Sequence, residues 1–223
     1  ILIPARYAST RYPGKPLAML DGVPMIKRVY DACTASKLPT YVLTDDQRIA
    51  LVAQTSSVII DDADYDNGTE RCAGAIDLDY IQKYDQFINV QGDMPDVTLQ
   101  MIERCVEWLQ YYPVSTVFAE MSEEEQNNPN SVKMVRAGDQ ALWFGRGMTG
   151  YGEWHLGIYG YRRNALKLYP SLEITQEETI EQLEQLRWLK SGWQIGCSSV
   201  YFNGVEINSP EDIETWHGNK GMI

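Results

Sequence analysis

The segment ILIPARYASTRYPGKPL, residues 1–17, joins a short apolar run to a loop that carries three cations. The apolar run at 1–4 is typical of a buried strand. Arg6, Arg11 and Lys15 follow it in a chain that is otherwise strongly acidic. Backbone N–H groups and fixed cations at a strand end favour a polyphosphate-binding loop, and a solvated basic loop is the alternative. The segment is not a Walker A loop, because G-x-x-x-x-G-K-[ST] is absent.

Strand and helix patterns alternate after this segment as far as the fourth predicted strand. The periodicity predicts strands at 41–44, 57–60 and 87–90, and helices at 25–35, 47–54 and 69–82. This alternation favours an α/β fold with a doubly wound, mostly parallel sheet, similar to a Rossmann fold. Ligands of such sheets bind beyond the carboxyl ends of the strands, so the loops after the first and fourth strands should meet there.

The pattern changes in the second half of the chain. Strand-like segments are predicted at 114–120, 133–135, 141–144, 155–161 and 196–202, with helices at 175–190 and after Ser209. We therefore expect a single domain over residues 1–223, composed of a half at 1–112 and a smaller, mixed β region within 113–223.

Composition excludes several classes of protein. The formal net charge is −12 over 223 residues, which argues against a nucleic-acid partner because such proteins present a basic face. The apolar runs are too short to span a bilayer, and no signal-peptide pattern is visible. We therefore expect a cytoplasmic protein with no membrane partner. The four cysteines form no C-x-x-C pair, which favours buried, reduced thiols over a zinc site.

Two turns of the first half carry groups that could bind a nucleotide or a metal. In NVQGD, residues 89–93, an acid follows a buried strand and could bind Mg²⁺ through one carboxylate, with phosphates and water completing the octahedron. The alternative is an aspartate that caps a helix. In DNGTER, residues 66–71, an Asn-Gly turn and a cap formed by Thr69 explain the pattern without a ligand.

Two patterns of the second half place polar and aromatic side chains together. Alternate positions of a predicted strand put His155, Tyr159 and Tyr161 on one face, where a polar pocket wall competes with aromatic core packing. Glu181 and Gln185 are i,i+4 neighbours on a predicted helix, for which a solvated face is the default.

Eight segments, in this order, resemble the signature of one enzyme family. They are PARYASTRYPGKPL at 4–17, TDD at 44–46, NGTER at 67–71, NVQGD at 89–93, NPNSVK at 128–133, HLGIYGYR at 155–162, LEQLR at 183–187 and SPED at 209–212. The family is that of the 3-deoxy-manno-octulosonate cytidylyltransferases, or CMP-Kdo synthetases. The resemblance runs from residue 2 to about residue 215, and eight segments in register are hard to obtain by chance.

The resemblance implies a nucleotidyltransferase reaction. CTP and an eight-carbon 2-keto sugar acid, Kdo, would give CMP-Kdo and pyrophosphate, with Mg²⁺ as the cofactor. Such chemistry depends on positioning and charge neutralisation while the anomeric hydroxyl attacks the α-phosphorus. The resemblance also implies a nucleotide-binding half at 1–112, a sugar-binding and dimerisation half at 113–223, a homodimer, and a cytoplasmic role in lipopolysaccharide precursor supply.

The resemblance further implies roles for individual residues. Arg6, Lys15 and Asp93 would be catalytic, and Asp93 would also ligate the metal. The nucleotide would be bound by Arg11, Asn67, Gly68, Thr69, Arg71 and Gln91. The sugar acid would be bound by Arg146, His155, Tyr159, Glu181 and Gln185, with the guanidinium of Arg146 suited to its carboxylate.

The chain departs from the family pattern at four places. Asn208 stands where a second metal-binding Asp is usual, and a neutral amide is a poorer Mg²⁺ ligand than a carboxylate. Residues 145–150 replace a Ser-Arg-Ala-x-Ile-Pro stretch, with a shortened connection to the following strand. Trp154 stands where a basic residue is usual, and Met94 where a Glu is usual.

These departures leave alternatives open. The acceptor could be a related acid, either an amino-Kdo or a nonulosonic acid. Because of Asn208, the chain could also be a catalytically impaired relative of this family, which binds the nucleotide without transferring it. A nicotinamide-dependent dehydrogenase is disfavoured, because no G-x-G-x-x-G follows the first strand.

Overall fold

The structure is a computed structural model that describes residues 1–8, 12–53 and 55–220, with side chains as far as residue 218. Arg11, predicted to bind the nucleotide, lies outside the described residues. The strands are β1 Leu2–Ala5, β2 Met19–Leu20, β3 Val23–Pro24, β4 Tyr41–Thr44, β5 Val58–Ile60, β6 Gln86–Val90, β7 Val114–Ala119, β8 Lys133–Ala137, β9 Gln140–Gly145, β10 Glu153–Arg162 and β11 Ile195–Ser199. The helices are α1 Met25–Thr34, α2 Gln47–Ala53, α3 Gly68–Ala75, α4 Leu99–Trp108, α5 Glu123–Asn127, α6 Arg163–Leu168, α7 Gln176–Glu181, α8 Leu186–Lys190 and α9 Pro210–Lys220, with 3₁₀ turns at Lys15–Leu17 and Tyr169–Ser171.

The chain forms two compact units that are interleaved in sequence. Unit 1 comprises Ile1–Cys72, Asn89–Ile102 and Asn203–Ile223. Unit 2 comprises Ala73–Ile88 and Glu103–Phe202. The expectation of one domain with halves at 1–112 and 113–223 stays a prediction.

The sheet of unit 1 is parallel. β1 pairs with β4 from Leu2 opposite Tyr41 to Ala5 opposite Thr44, and β4 pairs with β5 on its other edge. β6 joins β1 in the same direction, with Leu2 opposite Asn89. The order β5-β4-β1-β6 places the carboxyl ends of these strands at one edge. The parallel sheet predicted from the alternating pattern is therefore confirmed here, and its doubly wound arrangement stays a prediction.

Burial explains why these segments adopt their predicted structures. All four residues of β1 are buried, as expected of a continuous apolar run in a parallel sheet. α1 buries Met25, Ile26, Val29 and Cys33, the helical spacing that the sequence showed. Burial of these apolar side chains stabilises the unit by about 1.5–3 kcal/mol for each large one.

The sheet of unit 2 mixes parallel and antiparallel pairs, as predicted for the second half. β7 is central, with β10 antiparallel to it and β11 parallel to it. β9 pairs antiparallel with β11 and with β8, and β8 also meets β10. The register of β10 against β7 shifts between Leu156 and Tyr159.

The long helix predicted over 175–190 is wrong in its middle. The structure has two helices, α7 and α8, because Gln182 adopts a left-handed φ of 53° and ends α7. Glu181 is the last residue of α7, and Gln185 caps α8. The prediction that these two share one helical face is therefore also wrong.

Two other boundaries differ from the periodic pattern. The helix predicted at 69–82 ends at Ala75, and turns follow as far as residue 83. The strand predicted at 196–202 is β11, which ends at Ser199. Apolar residues continue past both ends, so the pattern alone did not mark where the elements stop.

The four cysteines are free and buried. Burial raises the pKa of the Cys33 thiol to about 12, and the pKa of Cys197 likewise. A thiol held neutral in this way behaves as a small apolar side chain. In the described ranges, no helix is both long enough and apolar enough to cross a membrane.

Candidate active site

The amino-terminal loop and the Gln-Gly-Asp turn meet in unit 1. Nζ of Lys15 donates to Oδ2 of Asp93 at 2.5 Å, although 78 positions separate the two residues. Their side chains are 12% and 29% exposed. An ammonium has three donors, so the contact leaves N–H groups of Lys15 for an anionic ligand. The loops after β1 and β6 therefore place a cation and a carboxylate side by side.

Gly14 shapes the loop that carries Lys15. Its φ of 73° is left-handed, and a Cβ there would lie 3.1 Å from the ring of Tyr7. Its N–H donates to the carbonyl of Tyr7 at 2.9 Å, which closes the loop on itself. Lys15 then begins the 3₁₀ turn with its side chain directed at Asp93. Glycine is required here for both conformation and space.

Two predicted nucleotide-binding residues lie in contact. A Cβ at Gly68 would come within 3.1 Å of Nε2 of Gln91, so the first turn of α3 rests on that carboxamide. Gly92 allows a similar approach, since a Cβ there would lie 3.1 Å from the carbonyl oxygen of Pro4. The ends of β1 and β6 and the start of α3 are thereby packed together.

Asn67, rather than Thr69, caps α3. Oδ1 of Asn67 accepts from the N–H of Glu70 at 2.9 Å, and Oε2 of Glu70 accepts from the N–H of Asp66 at 3.1 Å. These reciprocal bonds resemble a capping box. α3 begins at Gly68, so Thr69 already lies inside the helix and the predicted cap at that residue is wrong. Nucleotide binding by Asn67 and Thr69 stays a prediction.

Arg71 ties the carboxyl ends of two strands to α3. Its Nη2 lies 3.0 Å from Oδ2 of Asp45, which follows β4, and its Nη1 donates to the carbonyl of Asp61, which follows β5. The guanidinium lies 5.1 Å from the ring centre of Tyr65. The hydroxyl of Tyr65 in turn lowers the pKa of Asp61. Arg71 is committed to these partners, and its contact with a nucleotide stays a prediction.

Two arginines, Arg6 and Arg48, belong to or contact the loop that follows β1. Arg6 is exposed directly after β1 and forms no ion pair with any residue that the structure describes. Arg48, which no motif indicated, lies 3.5 Å from the ring centre of Tyr7 and pairs with Asp46 at 2.5 Å. This pair lowers the pKa of Asp46. The only sequence signal for Arg48 was its place in the first turn of a helix.

The carboxy-terminal segment brings Asn208 beside the acidic turn. The N–H of Ile207 donates to the carbonyl of Asp93 at 3.3 Å. The N–H groups of Asn208 and Ser209 both donate to Oδ2 of Asp212 at 2.7 Å. The carboxamide of Asn208 forms no hydrogen bond within the described part of the chain. The position that the sequence marked as altered therefore neighbours Asp93.

His155 is a neutral ring in the sheet of unit 2. Its Nε2 lies 3.0 Å from Oγ1 of Thr116, whose own proton is donated to the carbonyl of Ile158 at 2.7 Å. Because that hydroxyl proton is already used, Nε2 of His155 carries the proton of their shared bond and Nδ1 is an acceptor. Burial, and then the charge of Arg146, lowers the pKa of His155 to about 3.

The aromatic face predicted on β10 is confirmed. Ring centres of His155 and Tyr159 lie 5.3 Å apart, and those of Tyr159 and Tyr161 lie 6.0 Å apart. Phe144 of β9 contacts His155 edge-on at 4.8 Å. Each of the three predicted residues is at most 4% exposed, which favours core packing, and a polar pocket wall formed by this face stays a prediction.

Glu181 anchors the loop that follows β9. Its Oε2 accepts from the N–H of Arg146 at 2.7 Å and from that of Gly147 at 3.4 Å. Nη1 of Arg146 donates to the carbonyl of Asn130 at 2.6 Å. The structure brings Glu181 and Arg146 together, and the pairing of Arg146 with a substrate carboxylate stays a prediction.

Gln185 and Lys133 are two further buried polar groups of unit 2. Gln185 is 2% exposed, and its Nε2 has no hydrogen-bond partner among the described residues. A buried donor left unpaired costs about 1–3 kcal/mol, so a ligand acceptor would relieve it. Lys133 is fully buried and donates to the carbonyls of Asn128 and Arg146. No role was predicted for it, although it ends the NPNSVK segment at 128–133.

The sequence matches one family model over most of its length. The model is described as cytidylyltransferase, and it matches residues 1–195. A curated relative, the 8-amino-3,8-dideoxy-manno-octulosonate cytidylyltransferase of Shewanella halifaxensis, is 38% identical over 96% of this chain and 94% of its own length. The chain belongs to the cytidylyltransferase family.

One solved structure agrees with this membership, and a second shares the fold. A CMP:2-keto-3-deoxy-manno-octonic acid synthetase complexed with CTP superposes with a TM-score of 0.87 at 31% identity, covering 99% of this chain and 97% of that one. The 4-diphosphocytidyl-2C-methyl-D-erythritol synthase of Anaerococcus prevotii gives 0.66 at 10% identity, with 99% and 97% covered. This second likeness shows the fold alone, a mixed α/β nucleotidyltransferase fold.

The donor set beside Lys15 in this cytidylyltransferase suits a hard cation that has one protein carboxylate. Asp93 supplies the carboxylate, and Asn208 directly follows Ile207, whose N–H donates to the backbone carbonyl of Asp93. No group of three or more His, Cys, Asp or Glu in the described ranges is arranged to hold a metal. Mg²⁺ is commonly held by one or two carboxylates with phosphates and water. The residues therefore fit Mg²⁺ that arrives with a triphosphate, rather than an ion caged by protein.

Proposed function

We propose that this cytidylyltransferase transfers CMP from CTP to the anomeric hydroxyl of an eight-carbon 2-keto-3-deoxy sugar acid and releases pyrophosphate. The contact of 2.5 Å between Nζ of Lys15 and Oδ2 of Asp93 carries the proposal. It joins the cationic loop to the acidic turn, which are the segments best suited to phosphates and to Mg²⁺. The printed names of the CTP-bound structure and of the curated relatives support this class of nucleotide and acid.

The phosphate chemistry is assigned to unit 1. The anomeric oxygen bonds to the α-phosphorus while the bond from that phosphorus to pyrophosphate breaks, and the proton of the hydroxyl is released to solvent. Lys15, Arg6 and Arg11 hold the phosphate oxygens on which negative charge gathers. Asp93 would hold Mg²⁺, which neutralises phosphate charge when bound. Positioning and charge neutralisation then provide most of the catalysis.

The nucleotide is assigned to the start of α3 and the end of β6. Gly68 and Gln91, which lie in contact, line this region together with Thr69. Asn67 caps the helix, so its direct role is to hold the turn. Arg71 acts through Asp45 and Asp61 by fixing the strand ends.

The acceptor acid is assigned to polar groups of unit 2. Neutral His155 offers Nδ1 as an acceptor, and buried Gln185 offers an unpaired amide donor. Tyr159 and Glu181 provide a hydroxyl and a carboxylate for sugar hydroxyls, and Arg146 pairs with the substrate carboxylate.

Two acids compete as the acceptor. The printed name of the solved relative at 31% identity specifies the 2-keto-3-deoxy octonic acid, Kdo. The printed names of the curated relatives at 36–38% identity specify the 8-amino-3,8-dideoxy acid, which favours amino-Kdo as a second candidate. Comparing kcat/KM for both acids, with a nonulosonic acid as a third, decides the acceptor. A higher value for amino-Kdo would overturn Kdo as the principal substrate.

Pyrophosphate release tests the proposal itself. The full chain with CTP, Mg²⁺ and either octulosonate should release pyrophosphate, and Lys15→Ala should lower kcat/KM by at least about 100-fold because a charged phosphate contact is lost. Lys27→Ala is the matched control, since the ion pair of Lys27 in the described part of the chain is with the exposed Asp31, one helical turn away. Absence of release with every acid, or an unimpaired Lys15→Ala, would refute the assignment.

A catalytically impaired nucleotide binder is the second candidate function. It is favoured by the neutral side chain of Asn208 directly after Ile207, which bonds to Asp93. Under this alternative the chain binds Mg–CTP without releasing pyrophosphate, and Asn208→Asp creates turnover. Ready turnover by the unaltered chain, with no gain in Asn208→Asp, would exclude it.

The family resemblance also motivates a homodimer acting in the cytoplasm. We expect the second half of the chain, residues 113–223, to form the pairing surface. Light scattering coupled to size exclusion should give twice the chain mass of 25.4 kDa. A mass of one chain at micromolar concentration would contradict the dimer.

A further inference from the structure

A short turn in unit 1 presents two acids to different partners. Asp93 lies against Lys15, whereas Asp96, three residues later, faces the carboxy-terminal segment. Oδ2 of Asp96 accepts from the N–H of Val205 at 3.1 Å. Its Oδ1 accepts from the indole N–H of Trp216 at 3.0 Å. One carboxylate thus holds both the segment that precedes α9 and a side chain of α9 itself.

Trp216 is rigidly placed for this bond. It is 1% exposed and packs in a cluster with Leu20, Met25 and Ile207. The guanidinium of Arg28 lies 5.0 Å from the centre of its ring. Burial of an indole is favourable when its N–H has a partner, and here that partner is a carboxylate.

The segment held in this way leads directly to the catalytic turn. Val205 is bound by Asp96, Ile207 is bound by the carbonyl of Asp93, and Asn208 follows. These two hydrogen bonds both connect the turn at 93–96 to the segment at 205–207. Displacement of α9 would therefore release the backbone partner of Asp93 as well as Asn208.

We propose that Asp96 and Trp216 are positioning residues that lock the 205–208 segment onto Asp93, and so fix Asp93 and Asn208 for the magnesium-bound triphosphate. This inference rests on the proposed function for its catalytic consequence. The lock itself is a property of the folded chain and can be measured without turnover.

Trp216→Phe is the sharpest variant, because it keeps an aromatic ring in the cluster while it removes the indole N–H together with part of the ring system. Trp108→Phe is the matched control, since the indole nitrogen of Trp108 is buried with no partner among the described residues. Hydrogen exchange of the ligand-free protein should show faster exchange in peptides over 203–208 for Trp216→Phe, on the order of tenfold, as expected for loss of a bond to a charged acceptor. Trp108→Phe should leave these peptides unchanged.

Asp96→Asn provides the second variant. Its amide oxygen can still accept one of the two bonds, so exchange over 203–208 should lie between the wild type and Asp96→Leu. Unchanged exchange in both Asp96→Leu and Trp216→Phe would overturn the lock, whatever the fate of the proposed function.

The catalytic consequence is tested by a double-mutant cycle. Trp216→Phe should raise the Mg²⁺ concentration for half-maximal turnover several-fold while kcat at saturating Mg²⁺ changes less. In an Asn208→Ala background the same substitution should have a smaller effect, because the residue through which it acts is gone. Full additivity of the two substitutions, or a loss of kcat alone, would show that Trp216 does not act through this segment. Absence of turnover in the wild type would instead count against the proposed function and leave the exchange result to decide the lock.

Discussion

At the residue scale, the surroundings of a side chain decide its protonation state and its hydrogen bonding. His155 is the best example, because burial and a hydroxyl acceptor fix both its charge and its tautomer. Its neutral state suits hydrogen bonding to a sugar, and it excludes His155 as a cationic partner for phosphate at neutral pH.

The lowered pKa of His155 predicts a specific pH dependence of stability. The unfolded chain binds a proton near pH 6.5, whereas the folded chain resists protonation until about pH 3. Between these values the unfolded state holds more protons, so stability is full above the unfolded pKa and falls as pH decreases. From pH 7 to pH 5, the titration of His155 alone should lower the free energy of unfolding by roughly 2 kcal/mol.

Urea unfolding of wild type and His155→Gln at pH 7 and pH 5 checks this prediction. The variant should lose less stability between the two pH values, by that same amount. Equal losses in the two proteins would contradict it. The imidazole resonances should in addition report a neutral ring with the proton on Nε2 across this range.

At the residue scale, the sequence was sufficient to predict which side chains lie together at the carboxyl ends of neighbouring parallel strands. Lys15 and Asp93 were placed together because loops after neighbouring parallel strands share one edge of the sheet. The bond between Asp96 and Trp216 could not be predicted, because 120 positions separate them and neither forms a local pattern. Arg48 was missed for a similar reason, since its stacking on Tyr7 depends on the folded loop.

At the scale of elements, α7 and α8 are separated by a helix break that the sequence periodicity did not indicate. A buried ion pair connects the two helices across this break. Gln182 carries none of the usual signals of a helix end, since it is neither Gly, Asn nor Pro. Glu178 of α7 and Arg187 of α8 form a buried ion pair, with Nη2 and Oε1 2.6 Å apart. The guanidinium also lies 4.3 Å from the ring centre of Tyr169.

This buried pair should be far more costly to break than its exposed neighbour. Glu178→Gln removes the carboxylate charge that faces the buried guanidinium of Arg187, and breaking a buried ion pair from one side costs about 3–5 kcal/mol. Glu177→Gln is the control on the same helix, because Glu177 pairs with Lys190 on the surface and should lose less than about 1 kcal/mol. Chemical denaturation of both variants measures the difference. Similar losses for the two would contradict the assigned role of the buried pair.

At the scale of the whole molecule, the net negative charge of the chain opposes the binding of an anionic triphosphate. A chain with net charge −12 repels a triphosphate at long range, so binding must come from cations concentrated in one loop. Fold class and family were predictable from the sequence because the motifs follow strand ends in register. The interleaved units were not, because the return of residues 203–223 to unit 1 leaves no mark in local periodicity.

Selective stabilisation by nucleotide follows from this arrangement. Mg–CTP at 100 times its dissociation constant should stabilise the folded chain by about 2.7 kcal/mol. For a chain of this length that raises Tm by roughly 5–10 °C. Mg–ATP, Mg–GTP and Mg–UTP carry the same phosphates and should shift Tm less, because they lack the cytosine ring. Lys15→Ala should reduce the CTP shift, and Lys27→Ala should leave it intact. Equal shifts with all four nucleotides would show that the loop binds triphosphate without recognising the base, in contradiction of a CTP-specific enzyme.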